Sequence, residues 1–432
     1  MYSRLYISKG KNGKEKKMRK FKHNYYTIVA LIGIILSVLW IVFIKTEPFS
    51  DFKYYNELAK QIAAGGQWGD TYTSVGYSII LGFIYKIFGS SIITAKIFNV
   101  ILTALSYLIF YKLIIKLPLK DKVRKIVYLL FVLFPSNIFY NSILCTEILF
   151  TTLFLLITLI YYSNINYKYV LIGALVAVNS MIKPFFMVFF LAIFLVELLS
   201  KVKFSKVVKH TAVIFIVSFI AISPWIYRNT KLMGQFTFIS NNGGIVLYIN
   251  NNSQNDYGRW MAAADVENSV VNTDEYKKAN ATEKNKMLSN AAKKWIKNNP
   301  GKFIELGFKR LFNTYFVGDD VIYALNGAGL SKGLEYVFIS YANIARNILF
   351  IPAIILIIIS SVKIILNLIR KNPIESFTLY GIICFYMFAS VYFITEGQGR
   401  YSFPVIFIAL YFLTGLLAKI WFKVRNLNFI SK

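Results

Sequence analysis

The stretch that decides the fold begins with an apolar run, YYTIVALIGIILSVLWIVFIK (25–45), and continues into EPFSDFKYYNELAKQIAAGG (47–66). The first part is long enough to cross a bilayer, since a membrane helix needs about 20 largely apolar residues. In the second part, apolar side chains recur at the spacing of one helix face, at Tyr55, Leu58, Ala59 and Ile62. The pattern predicts a membrane span followed by a short amphipathic helix that opens with a carboxylate, Asp51.

Composition places the whole chain in the membrane class. Of its 432 residues, 56% are hydrophobic and 17% aromatic, against roughly 45–50% apolar residues in soluble domains. The formal net charge of +29 does not indicate nucleic-acid binding, because the Lys and Arg residues form short clusters between apolar runs. Cys145 and Cys384 fall at or within apolar segments, so we expect no structural disulfide.

Ten apolar runs are predicted to cross the membrane, which places both chain ends on the same side. The runs are 25–45, 91–115, 126–144, 148–163, 169–182, 184–200, 211–227, 338–362, 376–395 and 402–421. Basic clusters such as KNGKEKKMRKFK and KLPLKDKVRK then lie inside, as the positive-inside rule requires. We therefore expect a multi-pass protein of the plasma membrane with cytoplasmic tails at 1–24 and 422–432.

The apolar stretch SVGYSIILGFIYKIFG (74–89) is interpreted as a second interfacial helix. If it crossed the membrane, the basic loop that follows the next span would move to the outer face. The predicted fold class is thus an all-α polytopic membrane protein with interfacial helices in its first outer loop. The predicted parts are a transmembrane module at 25–227 with the outer loop 46–90, an outer segment at 228–337 with a helix at 280–298, and C-terminal spans at 338–421.

Two carboxylates stand out on the predicted outer face. Asp51 begins the helix after the first span, where a helix-capping role would also explain an acid. Glu147, in CTEILF, begins a predicted membrane helix, whose dipole alone would also suit an acid. An ionisable side chain between apolar runs is costly and is a functional candidate by default. Two such acids can divide proton transfer and metal binding, so a divalent cation such as Mg²⁺ or Mn²⁺ is a candidate cofactor.

Four basic residues fall at or near the same face: Lys96, Lys183, Arg228 and Arg400. Singly, each suits an interfacial anchor. As a group facing two acids they predict an anionic ligand, and arginine binds phosphate with two parallel hydrogen bonds. The Gly-, Asn- and aromatic-rich stretch at 240–260 fits either a sugar-contacting loop or a flexible linker. No P-loop, G-x-G-x-x-G or C-x-x-C motif occurs, so the sequence does not indicate nucleotide or zinc use.

The order of these motifs resembles the GT-C superfamily of membrane glycosyltransferases, and within it the bacterial protein-mannosyltransferase and aminoarabinose-transferase group, which is similar to glycosyltransferase family 39. The resemblance covers nearly the whole chain. In chain order the motifs are D-x-x-Y-Y-x-x-x-A (51–59), a G-Y helix ending in I-F-G (76–89), T-E (146–147), K-P (183–184), P-W-x-x-R-N (224–229), N-x-G-G (241–244), K-x-x-K-N-N-P (294–300) and R-Y-x-x-P (400–404).

The resemblance implies a polyprenyl-phosphate-linked sugar as donor and transfer on the outer face of the membrane. It implies that Asp51 is the catalytic carboxylate and that Glu147 matches a second acid of the family. Phe52 stands where the family often has a further acid, and TYTSVGY (71–77) lacks a proline that many members carry. The chain has no histidine on the predicted outer face, so the zinc site of some relatives is not supported.

On this basis, we expect Asp51 to act as general base in a single inverting displacement, and Glu147 to orient the acceptor or hold a metal. The acceptor is extracytoplasmic, and its class stays open. A lipid-linked sugar flippase or other transporter is the main alternative, although the spans carry almost no charge in their interiors. An O-antigen-type polymerase or ligase is a third. The expected substrate contacts are Arg400, Lys183, Lys96, Arg228, Tyr401, Tyr55 and Tyr77.

Overall fold

The structure, a computed structural model, describes residues 24–316 and 321–430, and the side chains of 24–316 and 321–418. Every regular element in these ranges is helical. Residues 1–23 of the basic tail predicted at 1–24 lie outside the described residues, as do the side chains of the tail predicted at 422–432. The helices are α1 (Asn24–Phe43), α2 (Ser50–Ala63), α3 (Gly76–Phe88), α4 (Ile92–Ile114), α5 (Asp121–Val132), α6 (Pro135–Phe139), α7 (Thr146–Tyr161), α8 (Lys168–Ile182), α9 (Phe189–Leu199), α10 (Phe204–Met233), α11 (Gly243–Asn250), α12 (Asp274–Lys278), α13 (Ala281–Asn298), α14 (Pro300–Tyr315), α15 (Ile322–Leu325), α16 (Lys332–Ile369), α17 (Ser376–Ile394) and α18 (Ile406–Ile430).

Six helices within the described ranges are long and apolar enough to cross a membrane: α1, α4, α10, α16, α17 and the segment Gly399–Ala418. The bent pair Asp121–Val132 and Pro135–Ser142, which meets at 49°, makes a seventh if it is one span. The remaining three predicted spans coincide with α7, α8 and Pro184–Leu199, which are shorter apolar helices. Each predicted run therefore corresponds to a helix or a helix pair. The count of ten spans stays a prediction, because these three are shorter than a usual membrane helix.

The first outer loop contains two helices that pack tightly on each other. The predicted amphipathic helix is confirmed as α2, which turns Phe52, Leu58 and Ile62 inward. The helix predicted at 74–89 is confirmed as α3, and its depth in the membrane stays a prediction. A Cβ on Gly82 would lie 2.8 Å from the Ile62 side chain, so only glycine allows this approach. The pairing fixes α2, and with it Asp51, against the body of the protein.

The outer segment forms a small helical cap with its own apolar cluster, which includes Tyr248 and Leu288. The helix predicted at 280–298 is confirmed as α13. It begins with a capping box, in which the Asn280 side chain accepts from the Glu283 backbone at 3.0 Å and the Glu283 side chain accepts from the Asn280 backbone at 2.8 Å. Pro300 then begins α14, as proline suits the first turn of a helix.

The main core lies between the apolar helices and is rich in aromatic rings. Phe154 of α7, for example, contacts Phe186 and Phe388 at centroid distances of 5.7 and 5.4 Å. Cys145 and Cys384 are both buried and free, which confirms that they form no disulfide. This packed bundle supports the ends of α7, α8 and α17 that are predicted to face outward, and the candidate site lies at those ends.

Candidate active site

A cavity of about 480 Å³ opens where the first outer loop, the outer ends of the bundle and the outer segment meet. Its walls come from parts of the chain that are far apart in sequence. They include Asp51, Tyr55, Tyr72, Thr73, Ser74, Thr146, Glu147, Ile182, Lys183, Pro184, Phe185, Ser240, Asn242, Gly243, Trp260, Tyr392, Thr395, Glu396, Gln398, Arg400 and Tyr401. Six side chains that the sequence predicted as site residues therefore lie in one cavity: Asp51, Glu147, Lys183, Arg400, Tyr55 and Tyr401.

Asp51 lies at the mouth of the cavity and faces Arg400. The Asp51 side chain is 61% exposed, and its Oδ2 lies 3.7 Å from Nη2 of the largely buried Arg400. The Arg400 guanidinium lies over the rings of Phe52 and Tyr323, at 5.3 and 5.7 Å from their centroids. Its Nε also donates to Oε1 of Gln398 at 2.7 Å. The aromatic rings and the amide hold the cation in place while the acid stays accessible.

The backbone that presents Asp51 is unusual. Ser50 has a positive φ of 46°, a left-handed conformation that costs a non-glycine residue roughly 1–2 kcal/mol. The residue before the first turn of α2 is Phe49, and no side chain caps the helix. Asp51 lies inside the first turn and makes no capping hydrogen bond, although an acid at this place still suits the helix dipole. Strain of this kind persists where the surrounding structure fixes it and is common at functional sites.

Glu147 and Lys183 form a second, deeper pair. Glu147 is in the first turn of α7, and its side chain is 2% exposed. Lys183 stands in an extended conformation between α8 and Pro184, where the following proline disfavours helix. Its Nζ donates to Glu147 Oε1 at 3.1 Å. The two charges neutralise each other in a place that water barely reaches.

Tyr401 lies between the two pairs. Lys183 Nζ and Arg400 Cζ are 5.0 and 5.4 Å from the centroid of its ring. Its hydroxyl donates to Oε2 of Glu396 at 3.1 Å. Glu396 is a third carboxylate of the cavity that sequence reasoning missed, and it also accepts from Gln398 at 2.6 Å. Its position directly after a span, four residues before Arg400, was the available signal.

Tyr55, one turn after Asp51 on α2, also lines the cavity. The pKa of its hydroxyl is raised, first by burial and then by the negative charge of Asp51. The phenol is therefore neutral at physiological pH and can donate or accept a hydrogen bond. It can contact a polar group of a ligand without adding charge to the site.

Arg310 of α14 supports the cavity from behind and was also missed. Its side chain is fully buried and donates to carbonyl oxygens at the end of α17, Ile394 at 3.1 Å and Thr395 at 3.4 Å. It also donates to the Asn251 side chain and the Asn250 carbonyl, each at 3.1 Å. Burial lowers its pKa to about 10, so it stays charged at neutral pH. Asn250 and Asn251, in the Asn-rich stretch, are therefore hydrogen-bonded to α14.

Three other predicted site residues lie outside the cavity walls. Lys96 is buried, and its Nζ donates to the Thr46 carbonyl at 3.0 Å. Tyr77 is buried with its ring against Tyr55, at a centroid distance of 5.7 Å. Arg228 donates to the Gly69 carbonyl and lies over the Trp225 ring at 4.3 Å, beside a separate apolar cavity. Each holds neighbouring backbone or rings that position the first outer loop.

The described residues do not form a closed metal site from protein side chains alone. No three His, Cys, Asp or Glu side chains within residues 24–316 and 321–418 cluster at metal-binding distance. Asp51 and Glu147 each face a cation instead, Arg400 and Lys183 respectively. Mg²⁺ usually keeps several waters and is held by one or two carboxylates together with substrate phosphates, so a divalent cation that binds with the donor stays a prediction.

No protein-family model and no curated protein matches the chain. Among solved structures, it is similar to the oligosaccharyltransferase of Archaeoglobus fulgidus. The structure of that enzyme tethered to an acceptor peptide aligns with a TM-score of 0.52 at 15% identity, over 93% of this chain and 50% of the other. The apo form aligns with a TM-score of 0.51 at 14% identity, over 95% and 52%.

The chain thus spans about half the length of the solved chains it matches. At this level of identity the likeness shows the fold alone. The predicted all-helical fold is supported, while membership of the GT-C superfamily and of its bacterial family 39-like group stays a prediction. The described part of this protein is an all-helical fold shared with the oligosaccharyltransferase, with six helices long and apolar enough to cross a membrane.

Proposed function

We propose that the protein is a membrane glycosyltransferase that moves a sugar from a polyprenyl-phosphate-linked donor to an acceptor on the extracytoplasmic face. The observation that carries the proposal is the convergence of an exposed acid, Asp51, with two cations, Arg400 and Lys183, in one cavity at the outer ends of the spans. The fold that the chain shares with an oligosaccharyltransferase supports the same class of reaction. The plasma membrane and cytoplasmic chain ends remain part of the proposal.

The two cations, Arg400 and Lys183, would stabilise the leaving phosphate. As the bond between the anomeric carbon and the phosphate oxygen breaks, its electron pair stays with the phosphate, and negative charge grows there. A guanidinium stabilises such charge best when its position is fixed before the reaction. Arg400 meets this condition because Phe52, Tyr323 and Gln398 already hold it. Lys183 already pairs with Glu147, so it is the weaker, second contact of the leaving phosphate.

Asp51 accounts for activation of the acceptor. It accepts the proton of an acceptor hydroxyl or amine while that atom attacks the anomeric carbon from the side opposite the phosphate. A single displacement of this kind inverts the configuration. The exposure of Asp51 lets an acceptor approach from the aqueous side, whereas the buried Glu147 is placed to orient groups from within. Tyr55 and Tyr401 would contact the sugar, and the buried Tyr77 would support Tyr55 from behind.

The neighbour's crystal structure contains an acceptor peptide, which makes a peptide one candidate acceptor here. Trp260 and Asn242, at the side of the cavity formed by the outer segment, would contact the acceptor. Aromatic rings and amides are suited to sugars and to peptide backbones alike, so the acceptor class is a separate question for experiment.

The test is mass spectrometry of polyprenyl lipids after purified protein is incubated with a membrane extract that contains donors and acceptors. We expect the wild type to convert a polyprenyl-phosphate sugar into free polyprenyl phosphate, and Asp51→Asn to leave the donor intact. Asp70→Asn is the matched control, since Asp70 is an exposed acid of the same loop outside the cavity walls. If the wild type leaves the lipid pool unchanged, the transferase proposal fails and transport becomes the leading account.

A further inference from the structure

Helix α14 of the outer segment has three different faces. Leu306, Gly307, Arg310 and Thr314 form a buried face. Lys302, Glu305 and Lys309 form a charged face. The third face is apolar yet exposed: Ile304 is 50%, Phe308 64% and Phe312 57% exposed. Because these three side chains recur every four residues, they form one continuous stripe along the helix.

The apolar stripe lies beside the outer end of a membrane span. Phe393, the second-last residue of α17, contacts Phe303 and Phe308 at centroid distances of 5.7 and 5.6 Å. A Cβ on Gly307 would come within 2.3 Å of the Phe393 ring, so α14 sits directly on that end. Since α17 has the length and composition of a span, α14 lies at the depth of the membrane boundary.

The charges on α14 indicate that its binding to a lipid surface does not require anionic headgroups. Glu305 lies 3.6 Å from Lys302 and 2.6 Å from Lys309, and Lys302 also pairs with Asp256 at 2.9 Å. The two acids balance the two lysines, so the charged face is close to neutral. Burial of the apolar stripe is then the main source of attraction.

We propose that α14 lies in the outer interface of the bilayer, with Ile304, Phe308 and Phe312 inserted among the lipid chains and the charged face in water. The exposed stripe therefore contacts the lipid of the membrane and not a protein partner. The outer segment is therefore anchored to the bilayer through α14 in addition to the spans that flank it.

Site-directed spin labelling tests this proposal. Nitroxide labels on cysteines introduced at 308 and 312 report the stripe, and labels at 309 and 313 report the charged side of the same helix. The native cysteines are both buried, which favours selective labelling. In vesicles of phosphatidylethanolamine and phosphatidylglycerol, we expect labels at 308 and 312 to collide several-fold more with oxygen than with a water-soluble nickel complex. Labels at 309 and 313 should show the reverse.

The same pattern is expected in vesicles of phosphatidylcholine alone, because the charged face is close to neutral. Equal nickel accessibility at all four positions would overturn the proposal and leave the stripe as a surface for a protein partner or for water. Loss of the pattern only in phosphatidylcholine would also contradict it, since attraction to anionic lipids would then hold the helix. None of these outcomes depends on catalytic activity.

A separate observation concerns the buried face of α14. The Arg310 guanidinium donates to the carbonyl oxygens of Ile394 and Thr395, which lie at the C-terminal end of α17 and lack helical partners. A cation is favourable at this end of a helix. The loop that follows carries Glu396 and Arg400, and a Cβ on Gly397 would lie 2.2 Å from the Arg310 carbonyl oxygen. The loop is thus held directly against α14.

We infer that Arg310 is a positioning residue for the loop that carries Glu396 and Arg400, an inference that rests on the proposed function. Lysine at this position keeps the charge but cannot reach the Asn251 side chain and both carbonyl groups together. The matched control is Arg346 of α16, a fully buried arginine that donates to the Thr314 carbonyl of the same helix α14, away from the loop.

The first readout needs no turnover. A nitroxide on Gln398→Cys should become more mobile in Arg310→Lys and stay unchanged in Arg346→Lys. The second readout is turnover per folded molecule, for which we expect at least a tenfold fall in kcat in Arg310→Lys and less than a threefold fall in Arg346→Lys. Equal effects of the two substitutions would overturn the inference. An unchanged label together with an inactive wild type would instead count against both Arg310 and the proposed function.

Discussion

The two acid–cation pairs of the cavity differ in burial, and burial separates their roles. Asp51 is 61% exposed and lies 3.7 Å from Arg400, whereas Glu147 is 2% exposed and lies 3.1 Å from Lys183. An exposed acid with a distant partner can exchange protons with an acceptor from solution. A buried acid that neutralises a buried lysine is needed for charge balance, because removing either one leaves the other uncompensated. Two acids in one cavity therefore need not share a task.

The largest effect on turnover is expected from Asp51, which pairs with Arg400 at the mouth of the cavity. Asp51→Asn should lower turnover of the donor by at least about 100-fold, because general base catalysis contributes 10²–10⁴-fold. Its unfolding temperature should stay close to that of the wild type, since substitution of an exposed side chain usually changes stability by less than about 0.5 kcal/mol. Lipid mass spectrometry and thermal unfolding in detergent measure the two quantities. Full turnover in this variant would remove the proposed role of Asp51.

The next largest effect on turnover is expected from Arg400, the partner of Asp51 at the mouth of the cavity. Arg400→Lys keeps the charge but loses the planar guanidinium that lies over Phe52 and Tyr323. We expect turnover to fall by about tenfold, somewhat less than removal of a full oxyanion-type contact. Arg228→Lys is the control, since Arg228 lines a different cavity, and its turnover should stay within about threefold of wild type. Equal losses in the two variants would place Arg228 in the donor site after all.

Substitutions in the buried pair, Glu147 and Lys183, should change the free energy of unfolding. Glu147→Gln leaves the largely buried Lys183 without its acid, and we expect the free energy of unfolding to fall by about 3 kcal/mol. The double variant with Lys183→Met should recover most of this loss, because it removes the uncompensated charge. Denaturant or thermal unfolding in one detergent measures both. A double variant no more stable than the single one would show that the pair does not neutralise charge in this way.

The smallest effect is expected outside the cavity walls. Lys96→Met removes one hydrogen bond to the Thr46 carbonyl, and this should cost about 1–2 kcal/mol of stability. Turnover per folded molecule should stay within about threefold of wild type, since Lys96 holds the backbone that leads into α2. A fall comparable to that in Arg400→Lys would return Lys96 to the set of donor contacts.

Local sequence patterns were enough to predict the elements that position the site. Helix α2 follows from the periodicity of its apolar residues, and the end of α13 follows from NNPG (298–301), whose proline begins the next helix. Asp51, Glu147 and Arg400 could be placed on one face because the basic loops set the topology. The three meet in one cavity since topology restricts them to the same end of the bundle.

The rest depends on packing that the sequence does not encode locally. Lys96 sits in a span whose apolar residues occur on all sides, so periodicity could not tell which way it faces. Arg310 lies in a helix with several charged residues, where a buried arginine looks the same in sequence as an exposed one. The loops also fold across long sequence separations, so Glu396 became a cavity residue only through its contacts with Gln398 and Tyr401.

The cavity draws Asp51 from the beginning of the chain and Arg400 from near its end. During synthesis, a chain that has inserted only as far as α10 already holds Asp51, Glu147 and Lys183, but it lacks the cation that faces Asp51. The site is complete only after α17 and the loop that follows it have entered the membrane. A partly inserted chain therefore carries both acids and Lys183 but not the arginine that would face the leaving phosphate of the proposed donor.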